Sequence, residues 1–271
     1  MVKIAIRDDD TNFFTKVEDI VDVYKSIQDF PISYAVIPTV LDVSTHNACK
    51  ETRGNKTPRW VGDNSELTEW LKMQLKEHKL DVLMHGITHG YKMCDDKRYP
   101  EMVWRQENNL TEVISSYKNK LSSLFDYPIS VFVAPSNMIS KYGIRCVANS
   151  SLNFSGIVPV GFERDLTLKN IASWLKRVAV RVYSRIPYPG VLEYSDHLEL
   201  NACVIQGYDY LVKVFKYCDK NNLPMAINVH YWHMRDYKDQ YKPFFDFIHY
   251  ALDSGAQPTT ISELFKEYAQ K

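Results

Sequence analysis

The sequence carries no excess charge of either sign, with 33 Lys and Arg against 33 Asp and Glu. A balanced chain does not attract nucleic acid or an anionic membrane through its overall field, so we expect a substrate that is uncharged or small. The sequence also lacks G-x-x-x-x-G-K-[ST], G-x-G-x-x-G and G-x-S-x-G. These absences remove the usual sequence support for a nucleotide-binding enzyme or a serine hydrolase.

Paired cysteines and long apolar runs are absent as well. The five cysteines form an odd set with no C-x-x-C pair, which favours a reducing compartment over a disulfide framework. No apolar run approaches the roughly 20 residues that span a bilayer. The first apolar stretch leads directly into polar residues, unlike a signal peptide. We therefore expect a cytoplasmic protein with no membrane span.

Short apolar runs alternate with helical patterns along the 271 residues. Strands are predicted at Val2 to Ile6, 32–37, 81–84, 131–134, near 154–158, at two places within 178–205, and at 225–229. Helices are predicted at 17–27, from an Asp63/Glu66 capping box, at 105–125, 139–149 and 208–221, up to Gly255, and from a Thr260/Glu263 capping box. Repeated βα units require a mostly parallel sheet, and this length favours its closure into a barrel. We expect one domain over residues 1–271, with a polar insertion loop at about 40–63.

Three consecutive carboxylates, Asp8, Asp9 and Asp10, end the first predicted strand. If they converge on one cleft, repulsion raises the pKa of at least one of them, and a bound cation is the common remedy. Because side chains alternate along a strand, we expect Asp8 and Asp10 on one side and Asp9 on the other. A solvated acidic turn or a helix N-cap is the alternative interpretation.

Two histidines follow another predicted strand in the segment His85-Gly86-Ile87-Thr88-His89. Imidazoles four residues apart meet on one face of a helical turn, and neutral nitrogen ligands suit a divalent first-row metal. Together with one carboxylate they make three protein ligands and leave positions open for water, as a catalytic metal site requires. A chance pair among eight histidines is the alternative.

The strand predicted at 225–229 ends at a further histidine, His230. A side chain at the C-terminal end of a barrel strand is well placed to donate a proton. His233 lies three residues later and is a candidate second cleft residue. A surface histidine beside aromatic packing is the alternative for both.

A fourth strand end carries Pro135 and Asn137, and the Asn137 amide could hydrogen-bond a sugar. Aromatic rings over a cleft stack well on sugar faces. Tyr91 and Trp232, which adjoin the histidine segments, are the candidates for that role. We therefore group Pro135, Asn137, Tyr91, Trp232 and His233 as predicted substrate-binding residues.

In this order the segments resemble the polysaccharide deacetylases, the NodB-type carbohydrate esterases, over roughly residues 1–235. The resemblance implies a distorted (β/α) barrel, TIM-like, with seven or eight strands. It also implies that Asp9 is the catalytic base and that His230 is the general acid. The implied metal ligands are Asp10, His85 and His89.

The triple Asp allows a second frame, in which Asp8 is the base and Asp9 the ligand. The sequence also departs from the family just before Pro135, where an arginine commonly orients the base and Ala134 stands here. Arg7 shares a strand face with Asp9, so Arg7 is the candidate substitute.

The resemblance implies a metal-dependent hydrolase that removes an acetyl group from an N-acetylated sugar or polysaccharide precursor, with Zn²⁺ or another divalent first-row metal. A cytoplasmic location would favour a nucleotide- or lipid-linked sugar, or a glycan precursor awaiting export. The alternative function is a catalytically impaired barrel that binds metal and carbohydrate as an accessory module. An Fe(II) oxygenase also uses two His and one carboxylate, but the βα alternation argues against that class.

Overall fold

The computed structural model of the chain describes residues 1–44, 48–156 and 164–270. Its strands are β1 (Lys3–Thr11), β2 (Ile32–Val36), β3 (Thr39–Val40), β4 (Arg59–Trp60), β5 (Leu80–His85), β6 (Tyr91–Cys94), β7 (Lys97–Pro100), β8 (Val131–Val133), β9 (Asn153–Ser155), β10 (Val191–Glu193), β11 (Leu198–Leu200), β12 (Ala202–Val204), β13 (Met225–Val229) and β14 (Gln257–Thr259). Its helices are α1 (Val17–Tyr24), α2 (Ser65–Lys76), α3 (Glu101–Trp104), α4 (Leu110–Phe125), α5 (Lys141–Asn149), α6 (Leu168–Ser184), α7 (Tyr208–Asn221), α8 (Tyr231–Asp236), α9 (Lys238–Asp253) and α10 (Ile261–Ala269).

The main sheet runs in the order β10-β11-β9-β8-β5-β2-β1-β13-β12, and β14 adds to β1. The β10–β11 pair is antiparallel, whereas β1, for example, pairs parallel with both β2 and β13. Within the described residues no hydrogen-bonded pair joins β10 to β12, so the barrel wall has an opening there. The predicted α/β class and distorted (β/α) barrel are confirmed.

Strands near the centre of the sheet are buried along their whole length. All five residues of β2 and all six of β5 are buried. This burial on both faces is typical of a parallel sheet that has helices outside and packed side chains inside. The C-terminal ends of β1, β5, β8 and β13 consequently meet at one edge, where the sequence placed its polar motifs.

Most predicted elements are present, with shifted ends. The strand predicted at 225–229 coincides with β13, and Thr260 caps α10 by accepting a hydrogen bond from the backbone N–H of Glu263 at 3.3 Å. The strand near 154–158 is present as β9, and residues 157 and 158 lie outside the described residues. The insertion loop predicted at 40–63 starts inside β3 and contains β4, and these two strands pair with each other. Residues 45–47 of this loop lie outside the described residues.

Three local predictions were wrong. The cap of α2 is Asn64, not Asp63, because the Asn64 side chain accepts from the backbone N–H of Leu67 at 3.1 Å. The apolar repeat that predicts the first helix, Val17, Ile20, Val21, Tyr24 and Ile27, puts Val21 on its core-facing stripe, but Val21 is 52% exposed. Residues 168–184 form α6, so the part of the 178–205 strand region before residue 185 is helical. No helix in the described part of the chain is long and apolar enough to cross a membrane.

Candidate active site

A β-bulge in β1 places its three carboxylates in different surroundings. The register of β1 on β2 shifts between Asp8 and Thr11, and Asp10 has a φ of 73°. An extra residue in a strand breaks the alternation of its side chains. Asp9 and Asp10 therefore both line one cavity, and the expectation that Asp10 would share a side with Asp8 was wrong.

Asp8 lies in the core, where it holds helix α8. One oxygen accepts from the Tyr24 hydroxyl at 2.6 Å, and the other accepts from the backbone N–H of Tyr231, at the start of α8, at 2.9 Å. Burial raises the pKa of Asp8 to about 8. These contacts put Asp8 behind the cavity, which disfavours the frame in which it is the base.

Asp9 is held by an arginine and an amide. The Arg7 guanidinium donates from Nε to Oδ1 and from Nη2 to Oδ2, both at 2.8 Å. The Asn228 amide donates to Oδ2 at 2.7 Å. Arg7 is fully buried, and its Nη1 also donates to Ser155 Oγ at 3.1 Å. The two-bond fork fixes the plane of the Asp9 carboxylate.

Asp10, His85 and His89 bring their donor atoms together. Asp10 Oδ1 lies 3.1 Å from His85 Nε2 and 3.3 Å from His89 Nε2, and the ligand atoms of all three lie within 4.8 Å of one another. His85 Nδ1 lies 3.1 Å from the backbone carbonyl of Val133, and a carbonyl can only accept. In a neutral His85, Nε2 therefore has no proton and faces a carboxylate oxygen.

Two acceptor atoms 3.1 Å apart repel each other unless a proton or a cation shares them. Two imidazole nitrogens and one carboxylate oxygen are donors that Zn²⁺ and related first-row ions prefer. The carbonyl contact at His85 Nδ1 is also the usual way in which a metal-binding histidine is oriented. The three residues thus fit a divalent metal.

The charges in the cluster shift its pKa values strongly. Burial alone would raise the pKa of Asp10, but the His85 hydrogen bond and the positive fields of His89 and His230 bring it well below its ordinary value. Burial lowers the pKa of His89. Burial opposes protonation of His85 too, but the Asp10 hydrogen bond outweighs it and raises the pKa of His85. Asp10 is therefore ionised at neutral pH, as a ligand must be.

A buried glutamate that the sequence did not indicate holds the histidine segment. Glu101 accepts from the backbone N–H groups of Ile87, Thr88 and His89 at 2.9 to 3.0 Å. Arg105 donates to the same carboxylate at 3.0 Å. No spacing rule links a glutamate at the start of a short helix to these N–H groups, so the sequence offered no signal for it.

Pro135 supports this segment from behind. Gly86 has a φ of 60°, and a Cβ there would lie 2.4 Å from Pro135 Cγ and 2.8 Å from Glu101 Oε2. Only glycine fits both the backbone conformation and the space. Pro135 is buried and is not among the described residues that line the cavity, so it does not occupy the substrate-binding position predicted for it.

The other predicted substrate-binding residues line the cavity, which has a volume of about 410 Å³. The Tyr91 hydroxyl lies 2.8 Å from Ser136 Oγ, and Asn137 Oδ1 accepts from Arg7 Nη2 at 3.4 Å. His233 Nδ1 lies 2.9 Å from the Tyr241 hydroxyl, and burial lowers the pKa of His233.

The segment after β13 closes the site. His230 Nε2 lies 3.7 Å from Asp10 Oδ2, and its side chain is 34% exposed, which leaves it accessible from the cavity. Trp232 is buried, and its indole N–H donates to Asp10 Oδ2 at 3.1 Å. Trp232 therefore contacts the candidate ligand carboxylate as well as lining the cavity. The cavity thus holds two carboxylates in separate environments and an accessible imidazole beside them.

No protein-family model and no curated protein matches the sequence. Among solved structures, the chain is similar to the Xyl-CE4 domain of a multidomain xylanase from the hindgut metagenome of Trinervitermes trinervoides. That likeness has a TM-score of 0.52 and 11% identity, over 99% of this chain and 92% of that chain.

Two further likenesses have lower TM-scores. A family 4 acetyl xylan esterase from Clostridium thermocellum, in complex with a cobalt ion, gives 0.47 with 10% identity over 97% of this chain and 90% of that chain. A CE4 family pseudoenzyme from Bacillus anthracis gives 0.46 with 10% identity over 97% of this chain and 64% of that chain. The first likeness alone carries the fold assignment. On that basis the chain has the fold of the CE4 family, the polysaccharide deacetylases that its motif order resembles.

Proposed function

We propose that this protein is a metal-dependent hydrolase that removes the acetyl group from an N-acetylated sugar or glycan precursor. The observation that carries the proposal is the shared cavity of Asp9, Asp10, His85, His89 and His230. It combines a fitted metal-ligand set with a separate carboxylate and an accessible imidazole, which is the set of groups that amide hydrolysis needs.

Asp10, His85 and His89 would hold the metal through Oδ1 and the two Nε2 atoms. Zn²⁺ is our first choice, because tetrahedral coordination by two imidazoles and a carboxylate leaves one position open. When bound, such an ion supplies Lewis acidity to the acetyl carbonyl and brings the pKa of a water ligand to about 7. Trp232 and the Val133 carbonyl would hold Asp10 and His85 in place for it.

Asp9 is the proposed general base. A carboxylate has about four lone-pair sites, and the bonds from Arg7 and Asn228 use three of them. One site remains to accept the proton of the attacking water. Arg7 is fully buried and does not line the cavity, so it is a positioning residue for this carboxylate. Asn228 holds the carboxylate as well and also lines the cavity.

His230 is the proposed general acid, which donates its proton to the leaving amine. Its Nε2 lies near Asp10, and its partly exposed ring can reach a substrate in the cavity. Tyr91, Asn137 and His233 are the proposed contacts to the sugar. An acid and a base each contribute about 10²- to 10⁴-fold to such a reaction.

The accessory-module alternative rests on the absence of an arginine just before Pro135, which would otherwise orient the base. The fork from Arg7 to Asp9 supplies an orienting contact from a different strand, and that contact favours the enzyme over the impaired barrel.

The test pairs elemental analysis of the purified protein with acetate release from a panel of N-acetylated amino sugars. We expect about one divalent metal ion per chain and acetate release. In Asp9→Asn we expect turnover to fall by about 10²- to 10⁴-fold while the metal remains bound. Bound metal with no acetate release from the whole panel would favour the accessory module. A folded Asp9→Asn variant with full activity would remove the base assignment.

A further inference from the structure

Helix α6 (Leu168–Ser184) presents an apolar face to solvent. We call Leu168, Ile171, Leu175, Val178 and Val182 the apolar stripe. These residues recur at intervals of three and four positions, so they share one side of the helix, and all five are exposed. Leu168 is 89% exposed and Leu175 is 53% exposed. A surface helix normally turns such a stripe toward the core.

The inward side of α6 combines polar side chains with Val180, which packs against the core. Asn170 is buried, and its amide donates to the backbone carbonyl of Asp165 at 2.9 Å and accepts from the backbone N–H of Ser195 at 2.8 Å. The Ser173 hydroxyl donates to the backbone carbonyl of Glu193 at 2.7 Å. Hydrogen bonds and the packing of Val180 attach α6 to the rest of the fold, and the apolar stripe is left for another contact.

Basic residues outnumber acidic ones on and beside α6. Residues 166–192 contain no Asp or Glu, although the whole chain has no net charge. At about 100° per residue, Arg181 lies about 100° from the centre of the stripe on one side, and Lys176 and Lys169 lie about 120° and about 140° from it on the other. Lys169 pairs with Glu193, and the Lys176 ammonium lies 4.8 Å from the centre of the Tyr188 ring. Glu193 offsets the charge of Lys169, so Lys176 and Arg181 supply the net positive charge of this helix.

We propose that α6 lies in the surface of an anionic lipid bilayer, with the apolar stripe in the headgroup–acyl boundary. Apolar side chains flanked by Lys and Arg are the pattern of helices that bind in the interface plane. The long aliphatic stems of Lys and Arg cover apolar surface while their charges reach the lipid phosphates. Tyr183, exposed beside the stripe, adds a ring of the kind that concentrates at membrane interfaces.

A second copy of the chain is a less suitable occupant. Two α6 helices packed stripe to stripe would bring the Lys176 and Arg181 charges of both copies closer together, and α6 itself has no acidic residue. Like charges placed opposite each other across an interface oppose association. An anionic bilayer offers both an apolar layer and the opposite charge.

The test is co-sedimentation of the full chain with phosphatidylcholine vesicles, with and without phosphatidylglycerol. We expect binding to the anionic vesicles, weaker binding at high salt, and little binding to neutral ones. Leu175→Glu should lower the partition coefficient by about tenfold or more. The substitution removes an apolar side chain that the bilayer would bury, and it adds a negative charge that anionic lipids repel.

The matched control is Val21→Glu on α1, where Val21 is 52% exposed and the neighbouring Glu18, Asp19 and Asp22 are acidic. It should leave partitioning unchanged, and circular dichroism melts establish that both variants fold. The proposal is overturned by an absence of binding to anionic vesicles or by equal losses in the two variants. A second copy would instead be the occupant if the protein binds no vesicles but forms a concentration-dependent dimer, and if Leu175→Glu makes that dimer dissociate. That outcome also overturns the proposal. None of these readouts depends on acetate release, so this proposal and the proposed function fail separately.

Discussion

Replacing Arg7 with lysine tests whether the fork on Asp9 orients the base. Arg7 makes two bonds of 2.8 Å to Asp9 and one of 3.1 Å to Ser155, all in a buried setting. Lysine keeps the charge, but a single ammonium cannot reproduce the planar fork. Losing one charge-assisted hydrogen bond costs about 1.5 to 3 kcal/mol. If this free energy is lost because Asp9 is no longer held in its orientation, kcat decreases by about ten- to a hundredfold.

The assay is steady-state acetate release from the best substrate of the panel, with metal content and urea unfolding measured on the same preparations. We expect the kcat of Arg7→Lys to fall by more than KM changes, because Arg7 does not line the cavity and reaches a proposed sugar contact only through the 3.4 Å bond to Asn137. Metal content should stay close to wild type, because Arg7 has no hydrogen bond to the proposed ligands. Urea unfolding should report a loss of stability of about 1.5 to 3 kcal/mol.

Arg164→Lys is the matched control for the stability loss. Arg164 is also buried and also forms an ion pair with a carboxylate, that of Glu199, but it does not line the cavity. It should lose stability to a similar extent with an unchanged kcat. A folded Arg7→Lys variant with wild-type kcat, or an equal fall in kcat in Arg164→Lys, would refute the orienting role.

Two further predictions concern buried charges. Glu101→Gln should weaken metal affinity by about 10- to 100-fold in a metal titration, because Glu101 holds the backbone of the His85–His89 segment; unchanged affinity would show that the segment keeps its shape without that carboxylate. His197→Gln should destabilise the protein more in mildly acidic than in alkaline solution. Burial disfavours protonation of His197, but hydrogen bonds to Asp196 and Glu199 outweigh it and raise its pKa above 6.5. The stability that protonated His197 contributes is therefore full below pH 6.5 and is lost as the pH rises through its folded-state pKa. If urea unfolding shows the same loss of stability in acidic and in alkaline solution, this prediction is contradicted.

The sequence predicted the parts of this protein that depend on neighbouring residues. The bounds of β13 and the Thr260 cap follow from short-range periodicity and cap chemistry, and the motif order led to the carboxylates and histidines of the cavity. The environments of Asp8 and Asp9 depend on a bulge and on partners more than a hundred positions away, which no local pattern contains.

Helix α6 was missed for a different reason. Val178, Val180 and Val182 alternate at the spacing of a strand, and such β-branched residues favour strands. Much of what holds the helix is polar, for example the hydrogen bonds of Asn170 and Ser173, and a search for apolar faces does not detect such contacts. A helix that is held largely by polar contacts shows little apolar periodicity toward the core, so a prediction from hydrophobic pattern misses it.

The bulge at Asp10 also bears on how this chemistry could change. In a regular strand, two acidic side chains that point into the same cavity are separated by one residue. The hydrogen bonds between the strands then fix the backbone of both. Here the kink gives adjacent positions independent neighbours: Arg7 and Asn228 for one, the imidazoles and Trp232 for the other. Substitutions around either acid can therefore alter proton transfer or ion preference one at a time, which makes this strand end a suitable starting point for redesign.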